Sequence, residues 1–229
     1  MILRQRLAVV ILKFGGGLLA TTESIHRAAR YIIRSKEGGD DPVVVVSALG
    51  QMTDRFETMA REITTAPDER EMDMLLSVGE RIAMSLLAMA INADSRFKAV
   101  SFTGSQVGII TDTCHTDARI LEVKGYRIRE ALEQGQIPIV AGFQGVSTQR
   151  EITTLGRGGS DATAVALAVG WIAYGVWIYM ERKKEKLGLK EKPTSERLEQ
   201  ARNEMAEYAK KLAAYKKPPH KRDDQGNQS

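Results

Sequence analysis

The sequence has a single cysteine, Cys114, among its 229 residues. One thiol excludes an internal disulfide framework and suits a reducing cytoplasm. We expect Cys114 to be a buried, inert thiol rather than a nucleophile. The N-terminal residues also lack the form of a secretory signal, since Lys13 and the glycines after it interrupt the apolar run. The sequence therefore favours a cytoplasmic protein.

Most of the chain also lacks an excess of charge of either sign. The formal net charge is +4, but residues 181–229 hold 14 of the 33 Lys and Arg residues and 9 of the 29 Asp and Glu residues. The remaining residues are therefore close to neutral. The basic tail mixes both signs and lacks the aromatic interleaving of a nucleic-acid groove, so we expect no nucleic acid partner.

Short apolar runs and helical periodicity alternate along residues 1–169. Leu7–Leu12, Val43–Val46 and Ile137–Ala141 are apolar runs typical of buried strands. Apolar residues recur at helical spacing over 25–33 and over 69–93. This alternation predicts an α/β domain with a largely parallel sheet and helices on both faces.

Four turns of glycine or small residues follow predicted strands, where ligands bind in open α/β sheets. They are Lys13–Gly17, Ser47–Thr53, Gly142–Gly145 and Gly156–Asp161. Glycines bring backbone N–H groups close to a ligand, and a helix N-terminus adds partial positive charge. The last turn therefore predicts an anion site in which Arg157 grips a carboxylate or phosphate. The alternative is that Ser160 or Asp161 only caps the next helix.

Three residues with ionisable side chains could have either a functional or a purely structural role. Glu80 is either a surface residue at the edge of the apolar stripe over 69–93 or a buried carboxylate with a partner, and periodicity alone favours the surface. We expect His115 to have a packing or loop role, as for Cys114, and His26 to be exposed to solvent.

Six motifs occur in order between about Val10 and Val169. They are Lys13–Gly16, Ser47–Gly50 with Thr53 and Asp54, Glu71–Glu80, Thr103–Gln106 with the segment through Arg119, Ala141–Gly145, and Thr153–Asp161. In this order they resemble the aspartokinases of the amino acid kinase family. One such glycine turn would be weak evidence, but six ordered matches are strong.

The resemblance implies a three-layer α/β sandwich with a mainly parallel central sheet. It also implies phosphorylation of L-aspartate by ATP and Mg²⁺ to 4-phospho-L-aspartate, the first step toward lysine, threonine and methionine. An aspartate side chain is already an anion at neutral pH, so the site must bring two anions together and neutralise charge on the transferring phosphoryl group.

The same resemblance assigns roles to individual residues. Lys13 would neutralise the phosphoryl group, Glu80 would meet the substrate ammonium, and Arg157 would meet its α-carboxylate; these three are the implied catalytic residues. The other implied substrate contacts are Ser47, Thr53, Phe143, Ser160 and Asp161. The implied nucleotide contacts are Lys13, Phe14, Gly15 and Gly16, and no metal ligand is assigned to the protein.

Two departures from the family pattern occur. The first turn continues as Gly17-Leu18-Leu19 where aspartokinases usually have Thr-Ser-Val, which leaves the substrate within the family open. After about Val169 the nucleotide-binding strands and Asp-rich turn do not follow. We therefore expect a truncated kinase domain over 1–169, an aromatic and basic segment over 170–192, and a charged helix with a disordered end over 193–229.

The charge-free run over 162–180 is near the length that spans a bilayer. The basic residues that follow it would prefer the cytoplasm, which favours contact with a membrane surface, a second copy of the chain or another protein over spanning. The sequence leaves two functions open. One is an active kinase; the other is an inactive binding or scaffolding subunit that acts through residues 171–215.

Overall fold

The computed structural model describes residues 8–93 and 96–171. The strands are β1 (Val9–Phe14), β2 (Asp41–Val46), β3 (Ala99–Phe102), β4 (Ile109–Thr111), β5 (Ile120–Val123), β6 (Ile137–Ala141), β7 (Gln144–Ser147) and β8 (Ile152–Thr154). The helices are α1 (Thr22–Glu37), α2 (Met52–Ile63), α3 (Glu69–Leu76), α4 (Val78–Asn92), α5 (Gly104–Val107) and α6 (Tyr126–Glu133). A short 3-10 helix covers Gly16–Leu19, and residues 159–171 form the described part of a further helix, α7.

The central sheet has four parallel strands in the order β1-β2-β6-β3. Strands β2 and β6 are buried along their whole length, as their apolar sequences predict for a parallel sheet covered on both faces. The register pairs Phe14 with Val46 and Val46 with Ala141, so β1, β2 and β6 end level with one another. The turns after these three strands therefore start side by side.

Helices cover both faces of this sheet, which confirms the predicted fold class. On one face, Val44 and Val46 of β2 pack with buried residues of α1 and α4. On the other face, Val43 and Val45 pack with residues of α5, α6 and α7. Alternate residues of one strand thus enter two separate cores, because successive side chains of a strand point to opposite faces.

A second, mixed sheet has the order β5-β4-β7-β8. Its β4–β7 pair is parallel, whereas β4–β5 and β7–β8 are antiparallel. The sequence interpretation placed Gln144 in a turn, but it starts β7. The residue is buried, and its side-chain Nε2 donates to the Ser77 carbonyl at 2.8 Å. Polar residues and glycines give this strand no apolar run that would reveal it.

The single helix predicted over 69–93 is two helices that meet at Ser77. Together, Glu69–Asn92 form the one helical stretch among the described residues that is long and apolar enough to cross a membrane, and 50% of its apolar window is buried inside the protein. Helix α4 supplies five residues to the core, among them Leu87 and Ile91. The predicted segments beyond residue 171, including part of the 162–180 run, lie outside the described residues.

Candidate active site

A cleft of about 640 Å³ lies at the edge of the central sheet where β1, β2 and β6 end. All four predicted turns contribute to its lining. The predicted site residues that line it are Lys13, Gly16, Ser47, Thr53, Glu80, Phe143, Arg157, Ser160 and Asp161. The level ends of the three parallel strands therefore bring together side chains that are far apart in the sequence.

Gly16 joins the first turn to the second by close backbone contact. A Cβ atom at this position would lie 2.6 Å from the carbonyl oxygen of Ala48 and 2.9 Å from that of Gly50. The Gly50 N–H donates to the Gly16 carbonyl at 2.9 Å. Because backbone atoms surround the position, a larger residue would push the two turns apart.

Lys13 brings a cation from β1 into the cleft. Its Nζ lies 2.9 Å from Asp161 Oδ1 at the start of α7, and the two side chains are 29% and 67% exposed. An ion pair this exposed contributes little to stability. Its geometric effect is to hold the lysine ammonium beside the glycine-rich turn.

Two predicted nucleotide contacts do not line the cleft. The Phe14 side chain is buried in the core and packs edge-on against Tyr31, with ring centroids 6.3 Å apart. Gly15 accepts a hydrogen bond from the Leu18 N–H through its carbonyl. Phe14 can therefore meet a ligand only through its backbone.

Glu80 is buried, with 3% of its surface exposed, so the surface position favoured by periodicity is wrong. Gly79 lets α4 approach Ala48 closely, since a Cβ on Gly79 would lie 2.6 Å from the Ala48 Cβ. The Ala48 N–H donates to Glu80 Oε1 at 3.0 Å, while Oε2 has no hydrogen-bond partner among the described residues. Burial raises the pKa of Glu80 to about 7, and the Ala48 hydrogen bond offsets part of this rise.

The last turn is tied to the end of β6 through Phe143, whose backbone has a φ of 66°. The Phe143 N–H donates to Thr163 Oγ1 at 3.2 Å, and Thr163 Oγ1 donates to the Gly159 carbonyl at 2.8 Å. The Leu155 N–H donates to the Phe143 carbonyl at 2.8 Å. The turn before α7 is thus held at both of its ends.

Arg157 projects from this turn at the rim of the cleft. Its side chain is exposed and forms no ion pair within residues 8–93 and 96–171. The first i to i−4 hydrogen bond of α7 runs from the Ala162 N–H to the Gly158 carbonyl. Ser160 and Asp161 therefore lie inside the first turn of α7, so neither is its N-cap, and a purely capping role for them is wrong.

Sequence reasoning did not single out Asp73, a carboxylate beside the cleft with 0% of its surface exposed. It accepts hydrogen bonds from the Thr116 N–H at 3.0 Å and from Thr154 Oγ1 at 2.5 Å, and its Oδ2 lies 2.6 Å from His115 Nδ1. His115 lies in the loop before β5, consistent with the packing or loop role predicted for it. Asp73 lies inside a matched motif, Glu71–Glu80, but its position in the hydrophobic pattern does not distinguish it from other helix residues.

Cys114 is exposed, so the prediction that it is buried is wrong. Its N–H donates to Asp112 Oδ1 at 3.2 Å within the loop before β5. His26 is exposed on α1, as predicted. Neither residue lines the cleft.

Helix α2 forms one wall of the cleft and was not predicted to contribute more than Thr53 and the neighbouring Asp54. Glu57 and Arg61 on the same helix also line the cleft. None of the residues of α2 is buried.

No group of three or more His, Cys, Asp or Glu side chains in the described parts of the chain is arranged to hold a metal ion.

Comparisons with known proteins match most of the chain. The model of the amino acid kinase family matches residues 8–181. An aspartokinase of Mycolicibacterium smegmatis is 51% identical over 176 residues, which are 76% of this chain and 42% of that protein. An aspartokinase of Geobacillus stearothermophilus is 48% identical over 175 residues, or 76% of this chain and 43% of that protein. The chain thus spans about two fifths of the length of these curated relatives.

Solved structures give the same fold. The aspartate kinase from Synechocystis superposes with a TM-score of 0.59 at 43% identity, covering 70% of this chain and 26% of that chain. E. coli aspartokinase III in complex with aspartate and ADP superposes with a TM-score of 0.60, covering 70% of this chain and 46% of that chain. Its identity of 24% supports a likeness of fold alone.

Proposed function

The chain belongs to the amino acid kinase family, and we propose that it is an aspartokinase-type phosphotransferase. It would transfer the γ-phosphoryl group of ATP to the side-chain carboxylate of L-aspartate, giving 4-phospho-L-aspartate and ADP. The aspartokinases that share about half of their aligned residues with this chain support the substrate. The observation that carries the proposal is that one cleft holds both Glu80, a buried carboxylate whose Oε2 has no partner among the described residues, and Arg157, an exposed arginine.

The two charged groups that all α-amino acids share have opposite partners in this cleft. Glu80 Oε2 is buried and has no partner in the described chain, and such a group is unfavourable until a donor reaches it. A substrate ammonium would supply that donor and favour the ionised form of Glu80. Arg157 offers a planar pair of N–H donors that suits the α-carboxylate.

Phosphoryl transfer then requires two anions to meet at the first turn. The side-chain carboxylate oxygen of aspartate attacks the γ-phosphorus, the bond from phosphorus to the β,γ-bridging oxygen breaks, and ADP leaves with the electron pair. No proton moves in this step. Lys13 would neutralise the developing charge, and the backbone N–H of Gly16, which lines the cleft, would contact the phosphates.

Mg²⁺ would supply charge neutralisation across the phosphate oxygens when it is bound with ATP. The described carboxylates that line the cleft are Asp54, Glu57, Glu69, Glu80 and Asp161, and no three of them are grouped to hold a metal ion. This donor set suits an ion that keeps most of its ligands from phosphate and water rather than one held in a protein cage. We therefore propose that Mg²⁺ enters with the nucleotide.

The reaction would place the chain in a cytoplasmic pathway of amino acid biosynthesis, toward lysine, threonine and methionine. Assembly with a second copy or with another protein through the C-terminal segment remains a prediction, because it depends on residues outside the described part. The binding or scaffolding alternative depends on those residues as well.

The decisive experiment measures ADP formation by the full chain with MgATP, with and without L-aspartate. We expect aspartate-dependent turnover that falls by about 100-fold or more in Lys13→Ala, the usual scale for loss of one charge-stabilising donor. Lys98→Ala is the matched control, because Lys98 is exposed just before β3 and does not line the cleft, and we expect it to keep full activity.

Other outcomes separate the two candidate functions. Aspartate binding without ADP formation would reject the kinase and support the binding subunit. Absence of aspartate binding by calorimetry would reject the kinase, whereas a scaffolding role through residues 171–215 does not require aspartate.

A further inference from the structure

Asp73 is a buried carboxylate. Two other segments of the chain contact it. His115 and the Thr116 N–H approach it from the loop before β5, and the Thr154 hydroxyl approaches it from the end of β8. Burial of a carboxylate is costly unless hydrogen bonds replace the water that it loses. The contacts of Asp73 therefore fix the loop and the strand end to α3. Asp73 itself does not line the cleft.

Both of these segments lead to the turn that carries Arg157. Thr154 is the last residue of β8, and Gly156 follows two residues later with a φ of 69°. The loop packs on that glycine, since a Cβ there would lie 2.6 Å from Asp117 Oδ1 and 3.5 Å from the Thr116 carbonyl oxygen. Asp73 thus supports the Arg157 turn through two segments, strand β8, which leads into the turn, and the loop before β5, which packs against it.

The same helical unit that carries Asp73 also carries Glu80. The two residues are seven positions apart, about two helical turns, on α3 and α4. The junction between these helices is anchored to β7, because Gln144 Nε2 donates to the Ser77 carbonyl at 2.8 Å. Two consecutive helices, joined at this anchored residue, therefore carry the proposed ammonium partner, Glu80, and the residue that supports the turn of Arg157, Asp73.

We infer that Asp73 and His115 are positioning residues that set Arg157 at the distance from Glu80 that an α-amino acid requires. This inference rests on the proposed function and extends it to the choice of substrate. An analogue that lacks the α-carboxylate needs Glu80 but not Arg157. The pair therefore determines how strongly the enzyme prefers an α-amino acid over that analogue.

β-Alanine is the matched probe, because it is aspartate without the α-carboxylate and keeps both the ammonium and the reacting carboxylate. Its kinetics are measured as an alternative substrate, or as a competitive inhibitor if no ADP forms. Asp73→Asn retains the side-chain shape, and His115→Gln leaves the bonds of Asp73 to Thr116 and Thr154 intact. His115→Gln keeps the test open if Asp73→Asn does not fold.

We expect each variant to lower kcat/KM for aspartate by about 10- to 100-fold, the scale of loss from a misplaced binding group. The KM for MgATP and the constants for β-alanine should stay within about two-fold. Equal losses for aspartate and β-alanine would overturn the inference, because general loosening of the fold weakens every ligand.

A double-mutant cycle gives an independent readout. Asp73→Asn should add little further loss in an Arg157→Ala background, since the group that it positions is already gone. In a Ser47→Ala background, on a different turn, the losses should multiply. Multiplying losses with both partners would overturn the inference.

Failure of the proposed function is distinguishable from failure of the positioning role. If the wild type binds aspartate without forming ADP, the kinase proposal fails, and the same comparison is made with calorimetric dissociation constants for aspartate and β-alanine. If the wild type binds no aspartate, both proposals fail.

Discussion

Replacement of Glu80 by Gln should stabilise the ligand-free protein at and above neutral pH. Burial raises the pKa of Glu80 from its ordinary value of 4.5 to about 7. Between these values the folded protein binds the Glu80 proton more tightly than the unfolded chain does. The stability that this proton contributes is complete below about pH 4.5 and is lost as the pH rises through 7.

The size of the effect follows from the two pKa values. At about 1.4 kcal/mol for each pH unit, the difference between 4.5 and about 7 corresponds to about 3 kcal/mol. Glutamine is neutral at every pH, and its Oε1 can keep the hydrogen bond from the Ala48 N–H. We therefore expect similar stabilities near pH 4.5, and a variant more stable by about 3 kcal/mol at pH 8, or about 6 to 12 °C in Tm for a chain of this size.

Urea and thermal unfolding of both proteins between pH 4.5 and 8.5 would measure this difference. Glu122→Gln, on the exposed face of β5, controls for the change of carboxyl to amide. Aspartate should stabilise the wild type but not the Glu80 variant, because its ammonium requires the carboxylate. A stability difference that does not change with pH would refute the reasoning.

Three further substitutions follow from the geometry. Gly16→Ala should destabilise the protein by about 1 to 3 kcal/mol, because its Cβ would meet the Ala48 carbonyl oxygen. Gly17→Ala should be tolerated, since a Cβ there has no atom within 4 Å, and chemical denaturation would compare the stabilities of the two variants. Arg150→Gly should raise the unfolding free energy by about 0.5 to 1 kcal/mol, since φ at this exposed hairpin position is 68°. Arg157→Lys should raise the KM for aspartate about 10-fold or more and leave that for MgATP unchanged in steady-state kinetics, because an ammonium cannot bind a carboxylate through two parallel bonds.

The parallel strands and their turns could be predicted because each is encoded locally. Val43–Val46 is apolar at every position, as a strand covered on both faces must be, and glycine turns follow such strands wherever a ligand approaches the backbone. Ordered turns of this kind also carried the resemblance to the family. Local pattern was therefore enough for the central sheet and for the place of the cleft.

The environments of individual side chains could not be predicted in the same way. Glu80 has the periodicity of a surface residue, and its burial depends on Gly79 and on the close approach of Ala48, which is distant in sequence. Gln144 starts a strand because its backbone pairs with Thr154, and its buried side chain bonds the Ser77 carbonyl at the junction of α3 and α4. Asp73 acts through partners more than 40 positions away. Such tertiary contacts leave no trace in a hydrophobic pattern.

The level ends of β1, β2 and β6 also have a consequence for when the cleft forms during folding. Strand β6 joins β2 across about 90 intervening residues, and pairing over so long a range is slow because a large loop must close first. A partly folded chain that has paired only β1 with β2 holds Lys13 and Ser47 but not Phe143 or Arg157. The proposed aspartate site therefore exists only in the completed domain, and aspartate binding there would draw the folding equilibrium toward that state by mass action.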